Sequence, residues 1–402
     1  MRIYEPSTLE KTQSWVSSRI KSKKLFRICG KTSRKLIPAS ENFDTIPYDI
    51  LSLKNINKTR FFDPDDMVVG VEAGMSIRTL HKMLGDRKML LPVNPWYPDS
   101  CVGSVVACND FGPNRMFMGG LRDYMIGIEY INGKGEIVNA GGKVVKNVSG
   151  YDLTRMMIGS QGGLGVITAI NFKVLPNPVE PKGMFGIFQN EEWLIYVKEL
   201  LKRRLPLDWI QALSTDDTGW SLGLGYSGNL PKRTRIESEI GDVFGINMEI
   251  ITDCKSLSEK KFTPGKKRFE GFLKDASSSA GLKGNYFHVF ATLPLEKIIV
   301  FPFEIFRKDK FKMVVHPAGG DIHFMHKSTC GKEQLEHLEK IKKFLSHPDS
   351  KLRCVNSGKE VSFQSLGKFG VANGYKLTKR LKQHLDPSNV FFSPYYDLNF
   401  DL

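Results

Sequence analysis

The sequence lacks any regular spacing of cysteines, and none of its six cysteines forms a CxxC pair: Cys29, Cys101, Cys108, Cys254, Cys330 and Cys354. This argues against a structural zinc site and against an iron–sulfur cluster held by this chain alone. The sequence also lacks an apolar run near the ~20 residues that span a bilayer, and its N-terminus lacks the apolar core of a signal peptide. These absences predict a cytoplasmic protein with reduced thiols and no transmembrane segment. Contact with a membrane surface stays open.

Length and charge narrow the class of protein. A chain of 402 residues is too long for one core and predicts two domains. The net charge of +15 favours anionic partners. However, the densest basic runs, Lys21 to Lys24 and Lys260 to Arg268, are short. Because a nucleic-acid binder needs clustered basic and aromatic residues, the sequence argues against one.

Local patterns in the first part of the chain predict alternating helices and strands. Ser7 with Glu10 is typical of a capping box that opens a helix over Thr8 to Arg19. A strand is predicted over Met67 to Ala73, followed by a helix capped by Ser76. Further on, a strand follows the glycine-rich segment at Val166 to Val174.

Two common nucleotide-binding motifs are excluded by their context. Gly30-Lys31-Thr32 lacks the earlier glycine of a P-loop, because Leu25 stands there. A turn rich in N–H groups that contacts a pyrophosphate stays open at this point. The glycines from Gly159 to Gly165 follow a predicted helix and precede a strand, whereas a Rossmann motif has the opposite order.

Several blocks together resemble a known family of flavin domains. They are RICGKTS, VVGVEAGMSIRTL, VGSVVACNDFGPNRMFMGGLRD and GGKVVKNVSGYDLTRMMIGSQGGLGVIT. The blocks resemble the FAD-binding PCMH-type domain of the vanillyl-alcohol oxidase and p-cresol methylhydroxylase family. The last block is most similar to the E-type subunit of bacterial glycolate oxidase. The resemblance implies FAD as cofactor and covers about residues 25 to 178, with a weaker likeness up to the C-terminus.

The resemblance also implies the residues that contact FAD. Lys31 stands where many members have glycine, and the pair Arg122 and Asp123 is expected to fix a loop. The pyrophosphate, flavin and adenosine loops map onto Gly30, Lys31, Thr32, Ser33, Gly103, Ser104, Asn109, Gly112, Arg122, Asp123, Gly162, Gly163, Gly165, Val166 and Ile167.

The histidine distribution bears on how the flavin is held. No histidine occurs between His81 and His288, so a histidyl link through these loops is excluded and the FAD is predicted to be non-covalent. A link through Cys101 or Cys108 is the weighed alternative, against two small buried cysteines.

The second part of the chain begins at the prolines Pro176, Pro178 and Pro181, which interrupt regular structure. Its block HPAGGDIHFMH only half matches the GHxGDGNxH-like block of related dehydrogenase subunits, which serves substrate or metal binding there. His316 and His323 are the candidate catalytic residues, because a neutral histidine can accept a hydroxyl proton. A structural strand and turn is the alternative, and no metal site is predicted.

Together these patterns predict an α+β fold with three parts: a two-part FAD-binding domain (1–178), an α+β cap domain (179–375) and a tail that returns to the FAD domain (376–402). The resemblance implies an FAD-dependent oxidoreductase subunit acting on a small 2-hydroxy acid. It would work beside a second flavin subunit and an iron–sulfur subunit, since this chain holds no cluster of its own. The alternative is an assembly or electron-relay subunit that holds FAD without substrate chemistry.

Overall fold

The computed structural model describes residues 2–30, 48–143, 152–214, 219–245, 249–252, 286–327, 331–345, 350–356, 375–393 and 396. The chain forms two compact units. Unit 1 comprises Met1–Gly112, Gly119–Asn177 and Val371–Leu402, and unit 2 comprises Pro113–Met118 and Pro178–Gly370. The chain leaves unit 1 after Asn177 and returns to it at Val371, close to the predicted domain boundaries at residues 178 and 375. Those boundaries stay a prediction.

Unit 1 contains helices and strands in alternation. Its helices are α1 (Leu9–Ser22), α2 (Ile77–Gly85), α3 (Val102–Cys108), α5 (Leu121–Tyr124), α6 (Leu153–Met156) and α12 (Tyr375–Leu385), and the short α4 (Arg115–Met118) between them in sequence belongs to unit 2. Its strands are β1 (Ile3–Tyr4), β2 (Phe26–Cys29), β3 (Asp49–Ser52), β4 (Thr59–Asp63), β5 (Val68–Glu72), β6 (Met89–Leu90), β7 (Met125–Ile131), β8 (Ile137–Gly141), β9 (Val166–Lys173) and β10 (Leu175–Pro176).

Two sheets organise unit 1. One is a three-stranded parallel sheet in the order β1-β3-β2, and the other is a five-stranded antiparallel sheet in the order β4-β5-β9-β7-β8. The predicted helix start is off by one residue: Thr8, not Ser7, caps α1, because the Thr8 Oγ1 accepts the Lys11 amide at 3.3 Å. Ser76 caps α2 as predicted.

The C-terminal tail packs into unit 1. Phe391 bridges Phe26 of β2, and their rings meet edge to face at 5.4 Å. Lys382 and Asp386 form a buried ion pair at 2.5 Å, and Lys382 also donates to the Phe391 carbonyl. Asp386 accepts the amides of Val390 and Phe391. This network fixes the chain as it leaves α12, as predicted for a returning tail.

Unit 2 is built on one eight-stranded antiparallel sheet. Its strands are β11 (Lys182–Phe188), β12 (Trp209–Ser214), β13 (Trp220–Tyr226), β14 (Glu249–Thr252), β15 (Tyr286–Thr292), β16 (Lys312–His316), β17 (Asp321–Lys327) and β18 (Lys351–Asn356), in the order β14-β11-β13-β12-β16-β17-β15-β18. Besides α4, its helices are α7 (Trp193–Lys202), α8 (Leu230–Phe244), α9 (Leu295–Ile299), α10 (Phe303–Lys308) and α11 (Gly331–Lys343).

The register of this sheet sorts the side chains of β17 onto two faces. Asp321 pairs with His316 and with Thr292, and His323 pairs with Phe290. These residues therefore share one face. Phe324 lies on the other face, where Phe301 and Phe306 pack on it with ring centroids 5.7 and 5.0 Å away.

Candidate functional site

Two of the predicted flavin loops lie in contact in unit 1. Gly30 ends β2 directly beside the start of α3. A Cβ atom at Gly30 would lie 2.7 Å from the Ser104 Oγ and 2.8 Å from the Cys101 Sγ, so only glycine permits this approach. The Ser52 hydroxyl donates to the Gly30 carbonyl at 3.0 Å and holds the turn. The neighbouring predictions Lys31, Thr32 and Ser33 lie outside the described residues, as does the block from 144 to 151.

The third predicted loop, residues 159–163, lies along the end of α3. The amides of Gly159 and Gln161 donate to the carbonyls of Val106 and Ala107 at 2.9 and 2.8 Å. Asn109 ends α3 in the left-handed conformation, with φ at 50°. Three segments distant in sequence therefore meet: the end of β2, the helix α3 and the turn 159–163. We call them the cradle.

The glycines of the turn have two different physical roles. Gly159 and Gly162 have φ values of 83° and 74°, which L side chains adopt only with strain. Gly163 instead makes room for the tail, because a Cβ there would lie 2.3 Å from a ring carbon of Tyr396. Tyr396 is buried, and its ring lies against the turn.

The cradle offers a flavin dinucleotide one buried polar group. Between Gly159 and Gly162, the Ser160 side chain is 1% exposed, and its Oγ has no partner among the described residues. The residues of the cradle that the structure describes, Gly30, Val102–Asn109 and 159–163, include no carboxylate that would repel a pyrophosphate. Ser160 was not among the predicted contacts, although its place within the GSQGG segment was a usable signal.

Other predicted contacts have structural explanations of their own. The Gly103 amide donates to the Ala73 carbonyl at 2.8 Å, and a Cβ at Gly112 would lie 2.1 Å from the Asn94 carbonyl oxygen. These two glycines permit close backbone packing, so they are accounted for without a ligand. Asp123 accepts the Gly120 amide at 2.8 Å, which fixes the loop before α5, while Arg122 is exposed.

The last predicted contacts lie at the start of β9. Gly165 has a φ of 157°, and a Cβ there would lie 2.9 Å from the Ile131 carbonyl oxygen. Val166 and Ile167 pair with Ile131 and Tyr130 of β7, and both side chains are buried in the core. The FAD contacts of these residues stay a prediction.

The cysteines near the cradle are not exposed nucleophiles. Cys101 is buried and Cys108 is half-buried. Burial raises the pKa of the neighbouring Cys29 thiol to about 11, which disfavours its thiolate at neutral pH.

A second cluster of chemistry lies in unit 2, on the hairpin of β16 and β17. His316 and His323 share one sheet face, with ring centroids 5.3 Å apart, and His288 of β15 joins them. The His288 Nε2 and His323 Nδ1 lie 3.2 Å apart, so one ring donates to the other. All three rings are buried, and neither ring nitrogen of His316 has a partner among the described residues. We call His288, His316, His323 and Asp321 the histidine face.

Burial sets the charge of this face. It lowers the pKa of His316 to about 4 and lowers the pKa of His323 well below its ordinary value. It raises the pKa of Asp321 to about 7, although Arg115, a hydrogen bond from Thr292, and Arg353 act in the opposite direction. At neutral pH the histidines are therefore neutral and can accept a proton.

Sequence reasoning found only part of this face. The block HPAGGDIHFMH revealed His316, Asp321 and His323, and it forms a strand, turn and strand rather than one helix. His288 lies far away in sequence, and nothing there marked it. Arg353, which lies over the Phe290 ring at 5.5 Å, was also missed. His326 of the same block points to the opposite face of β17.

Comparisons with known proteins support an FAD domain. Residues 14–141 match the family model of an FAD binding domain. Glycolate oxidase subunit GlcE of Escherichia coli (strain K12) is 40% identical over 148 residues, which are 36% of this chain and 42% of that protein. Glycolate oxidase subunit GlcD of Bacillus subtilis (strain 168) is 27% identical over 175 residues, 42% of this chain and 37% of that protein. A D-lactate dehydrogenase of Anaerostipes hadrus is 34% identical over 143 residues, 36% of this chain and 30% of that protein.

The solved structure of alkyldihydroxyacetonephosphate synthase has the same fold. It matches with a TM-score of 0.71 and 14% identity, over 96% of this chain and 76% of that chain. The curated relatives, by contrast, are matched over less than half of their length. Among the helices that the structure describes, none has the length and apolar character to span a membrane.

These findings confirm three predictions. The chain carries an FAD binding domain of the predicted PCMH type, it has the predicted α+β fold, and it is related to glycolate oxidase subunits and to D-lactate and D-2-hydroxyglutarate dehydrogenases.

Proposed function

We propose that this chain, an FAD-dependent oxidoreductase by its FAD binding domain, oxidises a small 2-hydroxy acid as one subunit of a glycolate oxidase-like complex. The observation that carries the proposal is the histidine face, where the buried His323 ring lies 5.4 Å from the His288 ring and 5.3 Å from the His316 ring. The printed names of the relatives, which include glycolate oxidase subunits and D-lactate dehydrogenases, support the substrate class.

Oxidation of a 2-hydroxy acid needs a base for the hydroxyl proton and a cation for the carboxylate. We assign the base to His323, whose lowered pKa leaves it neutral and whose Nδ1 faces His288 at 3.2 Å. His288 would hold the His323 ring in one orientation. Arg115 and Arg353, which both lower the pKa of Asp321, are the candidate carboxylate partners. Bound FAD would supply the acceptor for the hydride from the substrate Cα.

The proposal also covers how the FAD is held, which subunits receive the electrons and where the protein acts. Gly30, the α3 start and the 159–163 turn would let the FAD approach the backbone closely, and the Ser160 hydroxyl would contact it. The absence of histidine from 82 to 287 supports non-covalent binding. Electrons would pass to an iron–sulfur subunit beside a second flavin subunit, since this sequence has no cysteine cluster. The proposed location is the cytoplasm.

A second candidate function is supported by the same burial. His316 and His323 are 2% and 6% exposed, which also suits a structural core. In that case the chain would hold FAD as an assembly or electron-relay subunit without substrate chemistry of its own.

Anaerobic reduction of the flavin separates the two functions. The full chain is purified alone and with its co-purifying partners, and bleaching of the flavin absorbance by glycolate or D-lactate is followed. We expect bleaching, and we expect His323→Gln to slow it by about 10²–10⁴-fold with flavin content unchanged. The exposed His384 on α12 provides the control variant, His384→Gln, which should bleach at the parent rate.

Three outcomes would decide against parts of the proposal. Purified protein without flavin would overturn the FAD assignment. Flavin that stays bound after acid precipitation would overturn the non-covalent mode. Flavin that is reduced by neither glycolate nor D-lactate, in the chain alone or in its complex, would favour the relay function.

A further inference from the structure

A second histidine cluster lies on the opposite face of β17, away from the histidine face. His326 near the end of β17 meets Glu333 and His337 of α11. Glu333 and His337 are four residues apart on the helix and therefore share one side of it. One ligand atom from each of the three residues lies within 4.8 Å of the other two.

The distances suit a small metal ion. The His326 Nδ1 and His337 Nε2 lie 3.2 Å apart, and the Glu333 Oε1 lies 3.7 Å from the His337 Nε2 and 4.0 Å from the His326 Nδ1. Two ligands of a tetrahedral zinc ion, each about 2.0 Å from the metal, are separated by about 3.3 Å. The histidine pair already has this separation, and the carboxylate needs only a small rotation to reach it.

The surroundings resemble the shell of a metal site. The His326 ring makes a hydrogen bond to the Asp309 backbone, as ligand histidines of metal sites often do. Phe311 packs on both histidine rings, with centroids 5.0 and 4.8 Å away. The two imidazoles are 13% and 14% exposed and Glu333 is 36% exposed, which leaves a path for the ion.

We propose that His326, Glu333 and His337 bind one zinc ion, with a fourth position open to water, and that this ion joins β17 to α11. Two imidazoles and one carboxylate form a ligand set that zinc commonly takes. Because the site contains no cysteine, the spacing of the cysteines in the sequence does not indicate it. It is independent of the proposed flavin chemistry, because its ligands lie on the other face of the sheet.

Zinc binding to the full chain tests the proposal. After treatment with a chelator, the protein is titrated with zinc against a chromophoric competitor, and we expect one tight equivalent. Both His337→Gln and Glu333→Gln should weaken binding by at least about tenfold. The matched control is Glu336→Gln, an exposed carboxylate on the same helix, which should bind like the parent. Cobalt should give the intense visible absorption of a tetrahedral site in the parent and in Glu336→Gln, and not in His337→Gln.

Two further measurements keep the result unambiguous. Glu333→Gln removes a partly exposed ligand, so it tests the site even if the histidine variants fold poorly. His323→Gln distinguishes the two clusters, because a zinc ion on the histidine face would be lost in that variant and retained in His337→Gln. That pattern, or the absence of a tight equivalent in the parent, would overturn the proposal.

Discussion

The cradle of unit 1 and the histidine face of unit 2 hold their chemistry in different ways. The cradle uses backbone, and its side chains matter mainly by being small: Gly30 permits contact with Ser104, and Gly163 permits contact with Tyr396. The histidine face uses side chains, which strand pairing brings together from β15, β16 and β17. A backbone site depends on conformation, whereas a side-chain site depends on register and burial.

We expect the largest effect on the cradle from a substitution in the C-terminal tail. Lys382→Ala would leave Asp386, which is fully buried, without its cation. Breaking such a buried pair costs about 3–5 kcal/mol, so we expect unit 1 to lose that much stability and the protein to lose flavin. Thermal unfolding and the flavin-to-protein absorbance ratio measure both effects.

The control for this variant is Arg380→Ala, an exposed residue of the same helix, which should change stability by less than about 0.5 kcal/mol. Full flavin retention in Lys382→Ala would show that the cradle forms without the ordered tail.

A substitution inside the cradle should have the next largest effect. Gly163→Val would place methyl groups where the Tyr396 ring lies, and such overpacking costs about 1–3 kcal/mol. We expect FAD affinity to fall by at least about tenfold, measured by fluorescence titration of the deflavinated protein. Gly241→Ala is the matched control, since its added Cβ meets nothing within 4 Å. Parent-like affinity in Gly163→Val would contradict a ligand role for the turn.

We expect pH to change the contribution of the histidine face to the free energy of unfolding, and not that of the cradle. Burial raises the pKa of Asp321 from its ordinary value of 3.8 to about 7, so the folded state holds this proton more tightly than the unfolded chain does. The group therefore favours folding at low pH, and this contribution is lost as pH rises from about 4 through about 7. Asp321→Asn cannot ionise, so we expect it to be more stable than the parent at pH 8 by on the order of 4 kcal/mol and equal to it near pH 4.

Unfolding curves from pH 4 to pH 8 measure this difference. Asp242→Asn on α8, whose side chain is 67% exposed, should show the parent's pH dependence. If Asp321→Asn is less stable than the parent at pH 8, the carboxylate is ionised and paired in the folded protein, and the assigned direction of its pKa shift is wrong.

The sequence predicted these two regions unequally, for a physical reason. Glycine is required where φ is positive or backbones touch, so the loops at Gly30 and Gly162 could be located from residue type alone. The strand Val166–Lys173 was predicted to within one residue of its end, because Ile, Val and Phe mark it. The meeting of His288 with His323 follows from the register of β15 on β17, which residue type does not determine.

Helix ends show the same limit on a smaller scale. Ser7 and Thr8 both carry a hydroxyl that can cap a helix, and only the backbone conformation selects Thr8.

The tail of unit 1 has a consequence for the order in which the protein forms. Phe391 bridges Phe26 of β2, and Leu385 accepts the Gly133 amide at 3.0 Å, so these contacts join residues more than 250 positions apart. During synthesis from the N-terminus, the first unit to leave the ribosome is the last to be completed. Unit 1 therefore cannot be complete before residues 385 to 391 have been synthesised.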